Sequence, residues 1–251
     1  MPEDASFYLL AILAVLLVGL AKGGLSGMGA LGMPLLALAM DPVQAAGILL
    51  PILIAQDVVG VAAFRKTWDG YVLAVMLPSA VIGVVLGWWF AASVPSNAVL
   101  VAVGAISLLF GLYRLWIERG GRIAASSRSP SWIGTLFGVA TGFTSQVAHA
   151  GGPPFQMWVM PRRLERDVLI GTTAIFFAAL NWIKVPAYVA LGQFTRDNAL
   201  TTLVLLPFAL LGSLAGVWLV RRIEMGRFYT LVYLLMVVAG AKLLWDGLAA
   251  A

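Results

Sequence analysis

The sequence predicts an all-α, polytopic membrane protein: two inverted-topology repeats, each a broken or re-entrant helical hairpin followed by three long transmembrane helices. Three observations predict it. The chain is 61% apolar and only 11% charged, where a soluble domain carries about a quarter charged residues. Charge-free runs of about twenty residues recur along most of its length. The two halves share a residue pattern, yet their basic loops require opposite orientations. The strands of a transmembrane barrel would alternate polar and apolar residues, and no such alternation is present.

Composition removes several function classes. There is no cysteine and one histidine, so disulfide, zinc, haem and iron–sulfur chemistry are not expected, and no cofactor is. The net charge of +5 reads as basic loops of a membrane protein rather than as a nucleic-acid surface. The N-terminus "MPEDASFYLL" is acidic and a poor signal peptide, so the first helix is expected to be retained.

Long spans are expected at Val43–Phe64, Tyr71–Phe90, Asn97–Trp116, Arg166–Leu191, Asn198–Val220 and Gly226–Trp245. Each has roughly 20 residues or more, enough for about 30 Å of hydrocarbon. Two regions differ. Phe7–Ala21 and Met28–Met40 are joined by "KGGLSG", and Trp132–Val147 and Pro153–Met160 by "AHAGG". Stretches of about 8–16 residues reach only about 12–24 Å, so both regions are read as hairpins that turn within the membrane.

Basic residues fix the orientation. Arg65 and Lys66; Arg119, Arg122 and Arg128; Arg162, Arg163 and Arg166; and Arg221, Arg222 and Arg227 form four clusters holding 11 of the 16 lysines and arginines. All four are assigned to the cytoplasm. The first hairpin then begins and ends outside and the second inside, with both termini outside. This divides the chain into a first repeat at 1–117, a cytoplasmic linker at 118–130 and a second, inverted repeat at 131–251. Leu77–Trp116 aligns without a gap on Leu206–Trp245, with Pro78/Pro207, Gly83/Gly212, Gly87/Gly216, Trp89/Trp218 and Gly111/Gly240 in register. Upstream, Gly32, Pro34 and Met40 match Gly152, Pro154 and Met160, and Asp57 matches Asn181. Inverted repeats are a common build of secondary transporters, with the site near the midplane where discontinuous helices meet.

The residues that could bind a ligand cluster at those discontinuities. Lys22 lies among Gly23, Gly24, Gly27 and Gly29, and His149 precedes Gly151 and Gly152. Glycine turns present N–H groups, and the helix starts that follow favour anions. Pro153 and Pro154 suit a helix start. Alternatively, His149 merely satisfies a tight turn through a carbonyl. Asp57 lies in an apolar span, and Asn181 and Lys184 share one helix face. A buried charge needs a partner, so an Asp57–Lys184 or an Asp57–Lys22 ion pair is expected; Asp57 serves as a staple between repeats or as a proton relay. Gly83-x-x-x-Gly87 and Gly212-x-x-x-Gly216 read as close helix contacts.

The segments "AKGGLSGMGALGMPLLAL…PVQAAGILLPIL…D" and "FTSQVAHAGGPP…GTTAIFFAALNWIKVPAY" resemble the sulfite exporter TauE/SafE family over nearly the whole chain. The resemblance implies a membrane permease, and so no enzyme, for sulfur-containing anions such as sulfite or organosulfonates. It implies a location in the bacterial inner membrane. Ser26, Thr144 and Ser145 would then hydrogen-bond sulfonate oxygens, or else bond back to helix carbonyls. The partners expected are that anion and the lipid bilayer, with a homodimer left open and no nucleic acid. Two other readings stand beside it: a permease for another small organic anion such as a carboxylate, and remotely a rhomboid-like intramembrane protease using Ser26 of "GLSG" with His149 as base.

The orientation is testable by labelling. Cysteines introduced at Arg119 and at Arg162 should react with an impermeant thiol reagent from the cytoplasm alone, and one at Pro95 from outside alone. Labelling of Pro95 and Arg119 from the same face would end the inverted-repeat assignment.

Overall fold

A computed structural model describes residues 5–24, 28–121, 129–220, 222 and 226–250. Every regular element in them is helical. In chain order these are α1 (Ala5–Lys22), a 3-10 turn (Met28–Leu31), α2 (Gly32–Ala37), α3 (Pro42–Phe64), α4 (Gly70–Ser93), α5 (Ser96–Glu118), α6 (Ser131–Ala148), α7 (Gly152–Val159), a second 3-10 turn (Met160–Arg162), α8 (Arg166–Ala190), α9 (Arg196–Leu219) and α10 (Gly226–Ala249). Among the described residues, six helices are long and apolar enough to cross a membrane: α3, α4, α5, α8, α9 and, over Thr230–Ala249, α10. The protein is an integral membrane protein. The expected spans agree with these helices to within a few residues.

Local chemistry sets several helix starts. Asp41 caps α3, accepting from the Val43 and Gln44 N–H groups at 2.9 and 3.0 Å, with Pro42 at the first position. Asp69 caps α4 through Val72 N–H at 2.9 Å, and Thr195 caps α9 through Asn198 N–H at 3.2 Å. α6 ends where His149 adopts a left-handed backbone, φ 49°.

The first limbs of the hairpins are longer than expected. α1 and α6 have 18 residues each, about 27 Å at 1.5 Å per residue, nearly the hydrocarbon thickness. α1 continues through Lys22 because that side chain finds a partner on α3. α2 and α7 remain short, at 6 and 8 residues.

Glycine determines how the helices pair. A methyl group added at Gly19 would stand 2.6 Å from the Ala209 carbonyl oxygen, and one at Gly216 would stand 2.6 Å from that of Leu20. α1 therefore lies against α9 with backbones almost touching, and the ascending order of contacts makes them parallel. α4 and α6 repeat this: Gly83 abuts Val139, Gly87 abuts Phe143 and Gln146, and Gly142 abuts Ala80. α5 and α10 run antiparallel, with Gly104 beside Gly240, Gly111 beside Tyr233 and Gly247 beside Asn97. α3 and α8 are also antiparallel, since Asp57 meets Asn181 while Gly171 meets Phe64 and Thr67. Small residues of this kind let membrane helices approach. The outward faces of α4 and α9 match as well: Ile82, Val85 and Trp89 are exposed, as are Leu211, Leu214 and Trp218. These are surfaces for lipid.

Contacts define two ends of the bundle. At one, Thr67 donates to the Asp167 carbonyl, Arg162 stacks on Trp158 and Tyr71, and Arg166 donates to the Val220 carbonyl. Arg65, Lys66, Arg119, Arg163 and Arg222 belong to this basic end. At the opposite end Ser96 donates to Asp41, and Gln44 donates to Asn198. Arg122, Arg128 and Arg221 lie outside the described residues.

The glycine contacts generate a prediction. Gly142→Val should lower the melting temperature in detergent, since a β-branched side chain must push α6 off the Ala80 backbone and overpacking costs about 1–3 kcal/mol or more. Gly152→Ala, where a methyl group would meet nothing within 4 Å, should melt like the parent. Equal melting of the two variants would refute close α4–α6 packing.

Candidate functional site

The two hairpin breaks do not meet at one depth. Gly23 packs against Gly216, three residues before α9 ends at the basic end. Gln146 packs against Gly87, six residues before α4 ends at the opposite end. Between the breaks lies a cavity of about 360 Å³. It is lined by Lys22, Gly24 and Gly29 from the first hairpin and by Ser145, His149, Gly152, Pro153 and Gln156 from the second. One face of α8 forms its wall at turn-by-turn spacing: Arg166, Ile170, Thr173, Phe177, Asn181 and Lys184.

Two lysines enter this cavity with different surroundings. Lys22 forms an ion pair with Asp57 Oδ1, while Asn181 donates to Asp57 Oδ2 at 2.6 Å. Both carboxylate oxygens are thus engaged, one by α1 and one by α8. Lys22 Nζ also lies 5.6 Å from the centroid of the Phe177 ring. Of the two expected pairings, Asp57–Lys22 forms and Asp57–Lys184 does not. Lys184 is fully buried. Its Nζ lies 2.8 Å from His149 Nδ1, 3.2 Å from Ser145 Oγ and 3.3 Å from the Ser145 carbonyl oxygen. Three neutral groups surround this Nζ, and none of them carries a compensating negative charge. Asp57 offsets Lys22, and among the described residues neither Lys184 nor, at the mouth, Arg166 has an ion-pair partner.

His149 has both ring nitrogens engaged. Nε2 lies 2.9 Å from the Ala46 carbonyl oxygen, which can only accept. Nε2 therefore carries the hydrogen, and Nδ1 presents its lone pair to Lys184. The ring stacks on Tyr188 with centroids 5.9 Å apart, and the Tyr188 hydroxyl donates to the Gln146 carbonyl at 2.7 Å. The ring satisfies a carbonyl, as the turn reading expects, and it also lines the cavity.

The other expected site residues divide. Gly29, Ser145, Gly152, Asn181 and Lys184 line the cavity with Lys22 and Gly24. Gly23 instead packs against α9, and Gly151 is buried near Ser145 and Thr141. The Thr144 hydroxyl donates to the Ala140 carbonyl at 2.8 Å, the back-bonding alternative. Ser26 and Gly27 lie outside the described residues. The two helix starts are also unequal. A 3-10 turn separates the first break from α2, so Gly32 packs on Val18 rather than facing the cavity. In α7, Pro153 and Pro154 bring no N–H, which leaves only Gly151 and Gly152 as donors there.

Arg166, Thr173, Phe177 and Gln156 were missed as lining residues. Stepping back from Lys184 by threes and fours along α8 passes through Asn181, Phe177, Thr173 or Ala174, Ile170 and Arg166, so helical periodicity alone carried that signal. Gln156 accepts from Arg114 at 3.1 Å, a link between α7 and α5 with no sequence cue. Gln56, beside Asp57, donates to the carbonyls of Val15 and Ala209, both at 3.1 Å, tying α3 to α1 and α9.

Comparison with known families agrees with this architecture. A family model described as Sulfite exporter TauE/SafE matches residues 11–243. The chain belongs to the sulfite exporter TauE/SafE family. No curated protein and no solved structure matches it. In this TauE/SafE member the cavity lies within the helical bundle, and its lining is largely apolar with Lys22, Lys184 and Arg166 among it.

The Lys22–Asp57 pair is testable on its own. Lys22→Met should destabilise the protein by about 3–5 kcal/mol, because it strands a buried carboxylate. Adding Asp57→Asn should restore most of that loss. Denaturant midpoints in micelles measure both, and equal losses in the single and double variants would show that the two residues do not act as a pair.

Proposed function

We propose that this protein is a secondary transporter, an exporter of small sulfur-containing anions such as sulfite or organosulfonates, in the bacterial inner membrane. The single observation that carries the proposal is the cavity whose cations come from both halves of the chain, Lys22 from the first and Lys184 from the second. Membership of the family supports the substrate class. Burial strips an anion of its water shell, which costs many kcal/mol unless fixed charges and dipoles replace it. Lys184, Arg166 and the N–H group at Gly152 are suited to that role.

We further propose that the halves are inverted repeats that alternate access by moving against each other. The helix pairing supports this. Exchanging the first half for the second leaves it unchanged: α1 on α9 becomes α6 on α4, while α3–α8 and α5–α10 map onto themselves. Helices at equivalent places in the two halves meet antiparallel, as inversion requires. By the positive-inside rule the basic end is cytoplasmic.

One observation favours an organic anion over a bare oxyanion, whether sulfonate or carboxylate. Much of the lining is apolar, including Leu53, Phe110, Ile170 and Phe177, and these would face the carbon part of such a substrate.

Binding measurements on purified protein test the proposal. Lys184→Met should weaken affinity for a sulfonate or sulfite by about tenfold or more, roughly 1.4 kcal/mol. The double variant Lys22→Met/Asp57→Asn removes a pair that is neutral overall and should keep most of the affinity. Unchanged affinity in Lys184→Met, with intact folding, would move the anion site elsewhere.

A further inference from the structure

Toward the end opposite the basic loops, packed residues close the cavity. Its wall on α8 begins at Arg166, which is exposed at the basic end, and climbs to Lys184. It does not reach Tyr188, one turn further on. On α3 the lining includes Leu53, while Ala45, Ala46 and Leu49, nearer the opposite end, are buried in packed contacts. The residue at the top of the cavity is His149. It joins α6 to α3 through Ala46 and to α8 through Lys184 and Tyr188.

We propose that His149 is the latch that holds the cavity shut toward the end opposite the basic loops, and that a proton on Nδ1 releases it. The proposal rests on the alternating-access reading above. In the closed arrangement the imidazole gives its one hydrogen to Ala46 and its one lone pair to Lys184, so no place remains for a second proton. Protonation puts an N–H on Nδ1, 2.8 Å from a Lys184 Nζ that is the donor of this contact in the closed arrangement. Two donors cannot share that contact. The ring must leave, and the bond between the second half's hairpin and the first half's α3 goes with it. A histidine freed into water accepts a proton in the ordinary imidazole range, so acid favours the opened state. The ionisable groups around the ring are Lys184 and Tyr188 on α8 and, across the cavity, Lys22 on α1 with Asp57 on α3; of these, only Lys184 and Tyr188 approach its nitrogens directly. The latch joins the two proposed repeats, whose relative movement would open that end. His149 is thus a positioning residue, which sets the place of Lys184 and the state of the path.

The test uses the absence of native cysteine. Ala174→Cys places a small reporter on the cavity wall. An impermeant thiol reagent is applied to sealed vesicles from each face, and the ratio of the two rates cancels changes in thiol ionisation. At about pH 7.5, labelling from the basic-loop face should dominate. His149→Asn keeps an oxygen near the Nδ1 position but loses the reach to Ala46, and asparagine tolerates the left-handed backbone. It should raise opposite-face labelling about tenfold. His149→Gln keeps a donor near the Nε2 position and should remain shut. Acidification to about pH 5.5 should raise the ratio with His149 present and leave it flat in both variants. An unchanged ratio in His149→Asn overturns the latch, and an acid response that survives in His149→Gln overturns the proton's role there. If His149→Asn does not fold, the acid response of His149→Gln decides alone. Labelling needs no anion, so the expected ratios without any anion flux would uphold the latch and reject the transport reading. Normal flux with unchanged ratios would do the reverse.

Discussion

A carboxylate inside an apolar bundle cannot stay charged without partners, and Asp57 has two. Lys22 of α1 takes one oxygen and Asn181 of α8 takes the other. That pairing holds the first hairpin, the central helix of the first half and the wall of the cavity in one arrangement. It also determines the charge the cavity presents. With Asp57 engaged by Lys22, no carboxylate among the described residues faces Lys184, and in the proposed function the substrate anion takes that place. Had Asp57 bonded Lys184 instead, the deepest cation would have been cancelled, and the lining would have offered an anion much less.

Backbone contact allows such polar residues to be grouped in a thin apolar protein. Along α1–α9 and α4–α6, glycines bring main chains together where side chains would separate them. The helices thus gain dispersion contacts that lipid cannot outbid, and large apolar side chains such as Trp89 and Trp218 are left for the bilayer. The cavity lies where the α1–α9 pair, the α6–α7 hairpin and α8 adjoin.

Much of this was legible in the sequence, for physical reasons that can be named. Hydrocarbon thickness fixes span length, so α3, α4, α5, α8, α9 and α10 could be read directly. Glycines at fixed register marked the close contacts. Lys22, His149, Asp57 and Lys184 stood out because ionisable residues are rare in apolar spans. What could not be read was partner choice. Two lysines competed for one aspartate, and only the fold decides which is near. Nor could spacing reveal that Thr144 turns back to Ala140 while the next residue, Ser145, faces Lys184. The depth of the breaks was also hidden: short apolar stretches imply hairpins that turn within the membrane, and α1 and α6 each run almost across before they break.

Within the proposed repeat, the site arises where the halves differ rather than where they agree. Gly83 and Gly212 correspond, and they are met by Val139 and Leu16; Gly87 and Gly216 are met by Phe143 and Leu20. Both pairs give an offset of 123 between α1 and α6, so Lys22 corresponds to Ser145. On the long helices Asp57 corresponds to Asn181, and by the same step Gly60 corresponds to Lys184. In each half the hairpin and the long helix thus meet through one lysine, but the lysine has changed sides. In the second half Lys184 reaches across to Ser145. In the first, a methyl group at Gly60 would stand 3.0 Å from the Lys22 carbonyl oxygen, so the helix must present glycine there while Lys22 extends to Asp57 instead. Two equivalent interfaces therefore carry unequal charge: one closes on a carboxylate and is neutral, the other closes on a serine and a histidine and is not. A symmetric scaffold with one neutral and one cationic interface has different energies in its two exchanged states, and a ligand or a proton that acts on the cationic interface alone can bias one against the other.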